Sequence, residues 1–218
     1  MLKIYKFYFL LFFSFPILLG AQTDDNILWT KLGVQKAVNQ NTTILFAPIV
    51  RLNKDFSTYQ DFSLDYTIRY KLHKNFAVQL TGRTWFLPDG TNRQFIWPDL
   101  MYKKAFQKWQ VNSMVRWHYA VDVKEVADSD FIRWKTTFTW LDFGKIQFNV
   151  GIEPWLRLNK IRQLQRIRYS TTVKYKFSDQ FNIALQWWRQ ESINLQLQQN
   201  VNIFVLGLSY TLQNRNKE

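Results

Sequence analysis

The sequence predicts an all-β fold: a closed, antiparallel up-and-down transmembrane β-barrel of about 10–12 strands. Three observations lead there. Apolar and polar residues alternate with a period of two over most of the chain, the alternating segments run near ten residues, and the connections between them are by turns short and long. Successive side chains of an extended strand point to opposite faces. "FSLDYTIRYKL" at 62–72 therefore carries Phe62, Leu64, Tyr66, Ile68, Tyr70 and Leu72 on one face and Ser63, Asp65, Thr67, Arg69 and Lys71 on the other.

The same pattern recurs in order along the chain. A less regular segment at 29–38 comes first. Ile44, Phe46, Pro48, Val50 and Leu52 then alternate with Thr43, Ala47 and Arg51, ahead of the 62–72 segment. Phe76, Val78 and Leu80 oppose Gln79, Thr81 and Arg83, and a second irregular segment follows at 93–103. Trp109, Val111, Val115, Trp117 and Tyr119 oppose Gln110, Asn112, Arg116 and His118; Ile132, Trp134, Phe138 and Trp140 oppose Arg133, Lys135, Thr137 and Thr139. Ile146, Phe148, Val150, Ile152 and Leu156 oppose Gln147, Asn149, Glu153 and Arg157, and Ile167, Tyr169, Val173 and Tyr175 oppose Arg166, Arg168, Thr172, Lys174 and Lys176. A third irregular segment at 181–190 precedes Phe204, Leu206, Leu208, Tyr210 and Leu212. These make about eleven segments, near the length a tilted membrane strand needs, and no comparable stretch has helical periodicity. The connections at 39–41, 73–75, 142–145 and 178–180 are short, whereas "NKDFSTY", "LPDGTN", "VDVKEVADSD" and "ESINLQLQQN" are longer. Membrane barrels pair short periplasmic turns with longer outer loops in this way.

Which face points outward is a question of bulk. A soluble eight-stranded barrel fills its interior with one phase of side chains, but about eleven strands of Trp, Tyr, Phe and Leu exceed what such an interior holds. Aromatic residues also gather at strand ends on the apolar phase (Tyr59, Phe62, Phe76, Phe86, Trp109, Tyr119, Trp140, Phe177), where interfacial girdles lie. The apolar phase is therefore expected on lipid. The alternative is a soluble periplasmic carrier with the apolar phase inside, around an apolar ligand.

The 218 residues include 10 Trp, 10 Tyr and 19 Phe, and the overall hydropathy is negative, as expected when polar inward positions cancel apolar outward ones. Lys3 and Lys6, the apolar run Phe7 to Leu19 and the small Gly20 and Ala21 read as a signal peptide over 1–21, leaving a β-barrel domain over 22–218. The run is short of the roughly 20 residues of a spanning helix. Export combined with a lipid-facing barrel points to an outer-membrane location, with outer-membrane lipids and the barrel-assembly machinery as partners. No cysteine is present, which excludes disulfides and thiolate metal sites.

"ILWTKLGVQKAVNQNTTILFAPIVRL", the hairpins "YKLHKNFAVQL" and "YKFSDQFNIAL", "GIEPWLRL" and "QRIRYSTTVKYKF" together resemble the exported proteins grouped as domain-of-unknown-function family 2490. The resemblance covers nearly all of the chain beyond residue 21. It implies an outer-membrane-type barrel of a Gram-negative envelope, with no assigned activity. Two features depart from the usual pattern. The chain runs past Leu212 into "QNRNKE" where an aromatic terminus is usual, and an odd strand count conflicts with the even number of bacterial barrels, so one element is expected to be miscounted.

The net charge of +13 falls to +11 without Lys3 and Lys6. Arg69, Arg83, Arg116, Arg133, Glu153, Arg157, Arg166, Arg168 and Lys174 share the polar phase and are the candidate lumen-lining residues. A lumen so basic suits small anionic solutes, whereas Trp85, Phe95, Trp97, Phe131, Trp155 and Trp188 on the same phase point to a plugged or constricted one. Glu153 is expected to form an ionic cluster with Arg157, Arg166 and Arg168, which would keep its carboxylate ionised. The two functional expectations are thus a structural or surface barrel and a narrow anion-preferring pore.

Enzyme chemistry finds little support. Of the two histidines, His73 sits in a turn and His118 has Asp122 close in sequence, but neither Ser113 nor Ser129 is placed to form a nucleophile pair. No metal-ligand spacing or phosphate-binding glycine loop occurs, so no cofactor is expected. The basic, aromatic strands have the residue types that bind single-stranded nucleic acid, but the export signal argues against that partner.

Overall fold

The structure, a computed structural model, describes residues 25–121, 131–158, 163–194 and 200–213. Residues 1–21, where a signal peptide is expected, Asp122 and Ser129 fall outside these residues. Eleven strands follow one another: β1 (Asp25–Ala37), β2 (Thr42–Asn53), β3 (Thr58–Lys71), β4 (Phe76–Phe86), β5 (Asn92–Ala105), β6 (Trp109–Ala120), β7 (Phe131–Phe143), β8 (Ile146–Arg157), β9 (Leu164–Lys176), β10 (Phe181–Ser192) and β11 (Val201–Leu212). Each pairs with its sequence neighbours, and β1 pairs with β11 to close the sheet into a barrel.

The closure corrects two expectations. Eleven is the true count, with no miscounted element, and the β1–β11 seam is parallel, so the barrel is not antiparallel throughout. The second fact follows from the first. In an up-and-down array of odd number the first and last strands run the same way, so their seam must be parallel. It is regular over twelve residue pairs, from Asp25↔Val201 to Lys36↔Leu212.

The alternation decides the facing. On β3, Asp61, Ser63 and Asp65 are buried inside, whereas Tyr66, Ile68 and Tyr70 are exposed outside. The other strands repeat this, with Phe46, Leu80, Leu100, Phe138, Ile152 and Leu185 among the outward residues; Leu100 is 52 % and Leu185 55 % exposed. The sheet is thus turned inside out relative to a water-soluble barrel, in which the apolar phase packs inward. Eleven strands about 4.8 Å apart and tilted by roughly 40° enclose a backbone cylinder of roughly 11 Å radius.

One rim carries short connections, at 38–41, 72–75, 106–108, 144–145 and 177–180; at the other, 54–57 joins β2 to β3 and 87–91 joins β4 to β5, and the facing ends of β6 and β7, of β8 and β9 and of β10 and β11 lie there too. Local chemistry shapes the short turns. Asn39 Oδ1 accepts from the amides of Asn41 (2.9 Å) and Thr42 (2.8 Å), and Ser178 Oγ accepts from the Phe181 amide (3.0 Å). Gly144, at φ 63°, supplies the left-handed residue of a two-residue turn. At the opposite rim, Lys54, Asp55 and Phe56 are all left-handed (φ 47°, 55° and 68°), a conformation costing about 1–2 kcal/mol per residue. The turn is tied to the seam strands: Asn26 Nδ2 donates to Asp55 Oδ1 at 2.7 Å, and the Phe56 ring packs edge-on to Phe204 at 5.6 Å.

Aromatic residues ring both ends of the outer face. Near the short turns, Phe76–Tyr102, Phe106–Trp109, Trp140–Phe148 and Tyr175–Phe177 pair at 5.1, 3.8, 5.6 and 4.7 Å between centroids. Near the longer connections, Phe62–Phe86 and Trp117–Tyr119 pair at 5.7 and 6.1 Å. Between the rings, Gly82 leaves room for the Tyr66 ring to lie across it, an aromatic cover over a strand glycine.

The parallel seam is directly testable because the chain has no cysteine of its own. Gly33 faces Ser209 in register, and a β-carbon at Gly33 would lie 3.7 Å from Ser209 Oγ. Oxidising the Gly33→Cys/Ser209→Cys variant is expected to give one intramolecular disulfide, seen as a reductant-sensitive shift in gel mobility. Thiols that stay free would show that β1 and β11 do not meet in this register.

Candidate functional site in the barrel interior

The interior is built by register. Where two inward residues face each other across neighbouring strands, their side chains lie within reach, and four such pairs join a carboxylate to an arginine. Arg51 on β2 faces Asp61 on β3 and donates to its carboxylate and, at 3.2 Å, to Ser63 Oγ. Asp65 on β3 faces Arg83 on β4, with Nη2 donating to Oδ2 at 2.7 Å. Asp99 on β5 faces Arg116 on β6, which donates through Nε (2.6 Å) and Nη2 (2.7 Å) in the two-pronged geometry arginine favours. Glu153 on β8 faces Arg168 on β9 at 3.5 Å and also accepts from Arg133 on β7, at 2.8 Å from Nε and 2.6 Å from Nη2. Arg51 and Glu153 are only 1 % and 2 % exposed.

Each of these arginines also lies over tryptophan. Arg51 sits between Trp29 (4.6 Å) and Trp85 (5.0 Å); Arg83 and Arg116 lie over Trp97 at 4.4 and 4.9 Å. Arg133 lies 3.9 Å from the Trp155 centroid, and Arg168 lies between Trp155 (4.9 Å) and Trp188 (4.7 Å). Such stacks contribute about 0.5–2 kcal/mol each, more where water is excluded. Phe95, His118 and Phe131 complete the packing: the imidazole stacks on Phe95 and Trp97 at 5.0 and 5.1 Å.

The filling is uneven along the axis. Most buried interior residues belong to the half nearer the longer connections, among them Asp61, Phe95, Trp97, Phe131, Trp155 and Ile203. Toward the short turns many inward residues are small and neutral, and Gln35, Thr43, Thr67, Asn112, Asn149, Thr172, Gln186 and Ser209 are only half-buried, with Arg69 and Lys174 nearer the rim. Here Thr67 and Thr81 hydroxyls share a hydrogen bond at 2.9 Å, and Gln79 links Arg69 (2.7 Å) to Asp99 (2.8 Å). An apolar hollow of about 590 Å³ between Ile44, Phe46, Tyr66, Ile68, Leu80 and Ile96 opens on the outer face instead.

A family model described as "Protein of unknown function (DUF2490)" matches residues 26–202, from the start of β1 to the start of β11. The chain belongs to the DUF2490 family. No curated protein matches it.

The nine lumen candidates all fall on the inward phase of this DUF2490 barrel, but they do not form one cluster. Arg83, Arg116, Arg133, Glu153 and Arg168 meet in the ionic belt just described. Arg166 lies above it, 5.7 Å over Trp155, and Arg157 faces Phe131 at the long-connection rim. Arg69 is exposed on the other side, bonded to Gln79, and Lys174 is half-buried there. The expected partners of Glu153 are thereby revised: Arg133, on the preceding strand, takes the place of Arg157 and Arg166. The sequence reading also missed Lys31 and Trp29, which lie in the irregular first segment although Trp29, Lys31, Gly33 and Gln35 share one phase.

Ser113 is on the outward face, where Trp134 Nε1 donates to its hydroxyl at 2.8 Å, and His118 is inside. These two are therefore not a nucleophile pair. Among the described residues no group of His, Asp or Glu is arranged to hold a metal ion. In the connections, Asp89 is held below the usual carboxylate range by the hydroxyl and amide of Thr91, and Asp179 by its bond to Lys176 at 2.6 Å.

Removing one partner of a buried pair leaves an uncompensated charge, at a cost of about 3–5 kcal/mol. Glu153→Gln, which strands both Arg133 and Arg168, is expected to lower the unfolding free energy by that amount, read from tryptophan fluorescence during urea titration in detergent. Asp179→Asn, at an exposed turn, is expected to leave the midpoint where it is. Equal midpoints for all three proteins would show that the network carries no stability.

Proposed function

We propose that this DUF2490 chain is an outer-membrane β-barrel with an occluded interior, a structural or surface barrel and not an open pore. The observation that carries this reading is the apolar outer face. It runs round all eleven strands between two aromatic girdles, whereas soluble monomers rarely leave more than a few hundred Å² of contiguous apolar surface in water. A band of this kind matches a hydrocarbon layer flanked by interfacial aromatics. A soluble carrier would need an apolar chamber, and an interior of arginine, carboxylate and tryptophan offers none. Occlusion is favoured by the size of the lumen. Arginine and tryptophan reach inward by about 6–7 Å, so their stacks fill most of a cylinder of roughly 11 Å backbone radius. Outer-membrane lipids and the barrel-assembly machinery are the partners this reading implies. A narrow anion-preferring pore is the second reading, favoured by the excess of cations over carboxylates on the inward face.

Two measurements test the proposal. Leu100 lies near the middle of β5 on the outer face, and Leu100→Arg is expected to cost about 2–4 kcal/mol if it meets hydrocarbon. A change within about 0.5 kcal/mol, as for an ordinary surface site, would place water there and end the membrane reading. In planar bilayers the purified chain is expected to give no unitary current. A steady anion-selective current would favour the pore.

A further inference from the structure

We propose that the middle of the lumen is a binding site for a small polyvalent oxyanion of the phosphate class, held between Lys31 and Lys135 and entered from the short-turn end. The site rests on the reading of the barrel as occluded on its long-connection side.

The first argument is a charge imbalance that the protein leaves open. Arg51, Arg83, Arg116, Arg133 and Arg168 use all the carboxylates of the belt, Asp61, Asp65, Asp99 and Glu153. Lys31 and Lys135 are then two further cations without a carboxylate of their own. The charges that act most on Lys31 include Asp65, Arg83, Arg116 and Arg51, and those that act most on Lys135 include Glu153, Arg168, Arg133 and Arg116. Arg116 is common to both sets, and every carboxylate in them is already bonded to arginine. The Lys135 ammonium has the Trp188 ring at 5.6 Å.

The second argument is position. Lys31 is central in β1, and β7 is six strands away around the ring in one direction and five in the other. The two lysines therefore approach the axis from opposite walls. Above them lies the buried arginine and tryptophan packing; below them are half-buried neutral residues such as Gln35, Thr67, Asn112 and Gln186, with Arg69 and Lys174 nearer the rim. Both lysines are themselves half-buried, as side chains at the floor of a water-accessible vestibule are.

The third argument is an unmet supply of donors. In the packing that borders the two lysines, the indole N–H groups of Trp29, Trp85, Trp97, Trp155 and Trp188 and the Nε of Arg51 and Arg168 are buried without a protein acceptor, and they outnumber the buried acceptors without a donor, Asn53 Oδ1, Gln60 Oε1, Asn149 Oδ1 and Gln165 Oε1. Buried donors are normally paired. A polyvalent oxyanion, which offers acceptors and negative charge together, suits this environment; a cation or an apolar ligand does not.

The test uses the full chain folded in detergent at low salt, titrated calorimetrically with inorganic phosphate, diphosphate and glycerol phosphate, and with chloride for comparison. The first two separate a free ion from glycerol phosphate, a phosphate group borne on a larger molecule. Saturable phosphate binding is expected, stronger than that of chloride. Lys31→Gln and Lys135→Gln should each weaken it roughly tenfold, the loss of one charge-assisted bond, and Lys71→Gln, at the exposed short-turn rim, should not. A wild-type measurement stands beside the variants: phosphate should protect Lys31 and Lys135, but not Lys71, from reductive methylation. No saturable binding, binding retained by the Lys31→Gln/Lys135→Gln double variant, or labelling indifferent to phosphate would overturn the site. A chain that is occluded and membrane-bound but indifferent to phosphate loses this site alone. A conducting chain that still binds phosphate loses the occluded reading alone.

Discussion

The interior of this barrel depends on one constraint: each of the four buried carboxylates among the described residues stands directly opposite an arginine on a neighbouring strand. Arg51–Asp61, Asp65–Arg83, Asp99–Arg116 and Glu153–Arg168 are all pairs set by register. Because the side-chain period is two, a slip of one residue would turn Asp65 and Arg83 to the outer face and Leu64 and Leu80 to the inner one. Buried ion pairs contribute little net stability compared with apolar packing of the same volume, yet leaving one partner unmatched is severe. Their effect here is therefore mainly on the choice among registers. The parallel β1–β11 seam completes the arrangement, since the tryptophans stacked on Arg51 and Arg168 come from β1 and β10 on either side of it, and Trp29 meets Trp188 edge-on at 5.1 Å.

Much of the fold was legible in the sequence because a strand with different environments on its two faces must alternate. The eleven segments, the aromatic ends and the inward bulk of Trp85, Phe95, Trp97, Phe131, Trp155 and Trp188 all follow from that rule. The segment at 29–38 was less regular on the page because its apolar residues occur on both phases: Trp29 faces inward while Leu28, Leu32 and Val34 face outward. Lys31 was hidden with it. On β11 the inward phase includes Ile203 and Val205, both buried, so alternation there was partly masked.

The ionic site was legible only in part. Glu153 and Arg168 were recognisable as neighbours because a short tally of residues along β8 and β9 brings them level. Arg133 was not, because its approach to Glu153 is diagonal; its directly opposed residue is Trp155. Diagonal neighbours depend on twist and side-chain length as well as on register, and neither is written in a periodicity. The seam was illegible for a different reason. Pairing between the first and last strands involves no hairpin, so no turn residues announce it, and the parity of the strand count alone sets its direction.

An arginine-rich interior also answers a problem that an apolar one would create. If both faces of every strand were apolar, the strands would read as continuous greasy segments, with no information about which side faces in and with exposed edges prone to association before closure. A polar inner phase preserves the alternation, but short polar side chains leave a cylinder of this width unfilled. Arginine and tryptophan resolve that conflict, since guanidinium groups span toward the axis, stack on indoles and hydrogen-bond to carboxylates at once. The guanidinium cannot shed its charge, so those buried in the belt call for carboxylates, and Asp61, Asp65, Asp99 and Glu153 stand beside Arg51, Arg83, Arg116, Arg133 and Arg168, with Glu153 serving two of them. Where filling is abandoned, toward the short turns, threonine, serine, asparagine and glutamine take over much of the inward face, with a few solvated cations such as Arg69 and Lys174 near the rim. The axial change in composition thus follows from a single choice of how much of the cylinder to close.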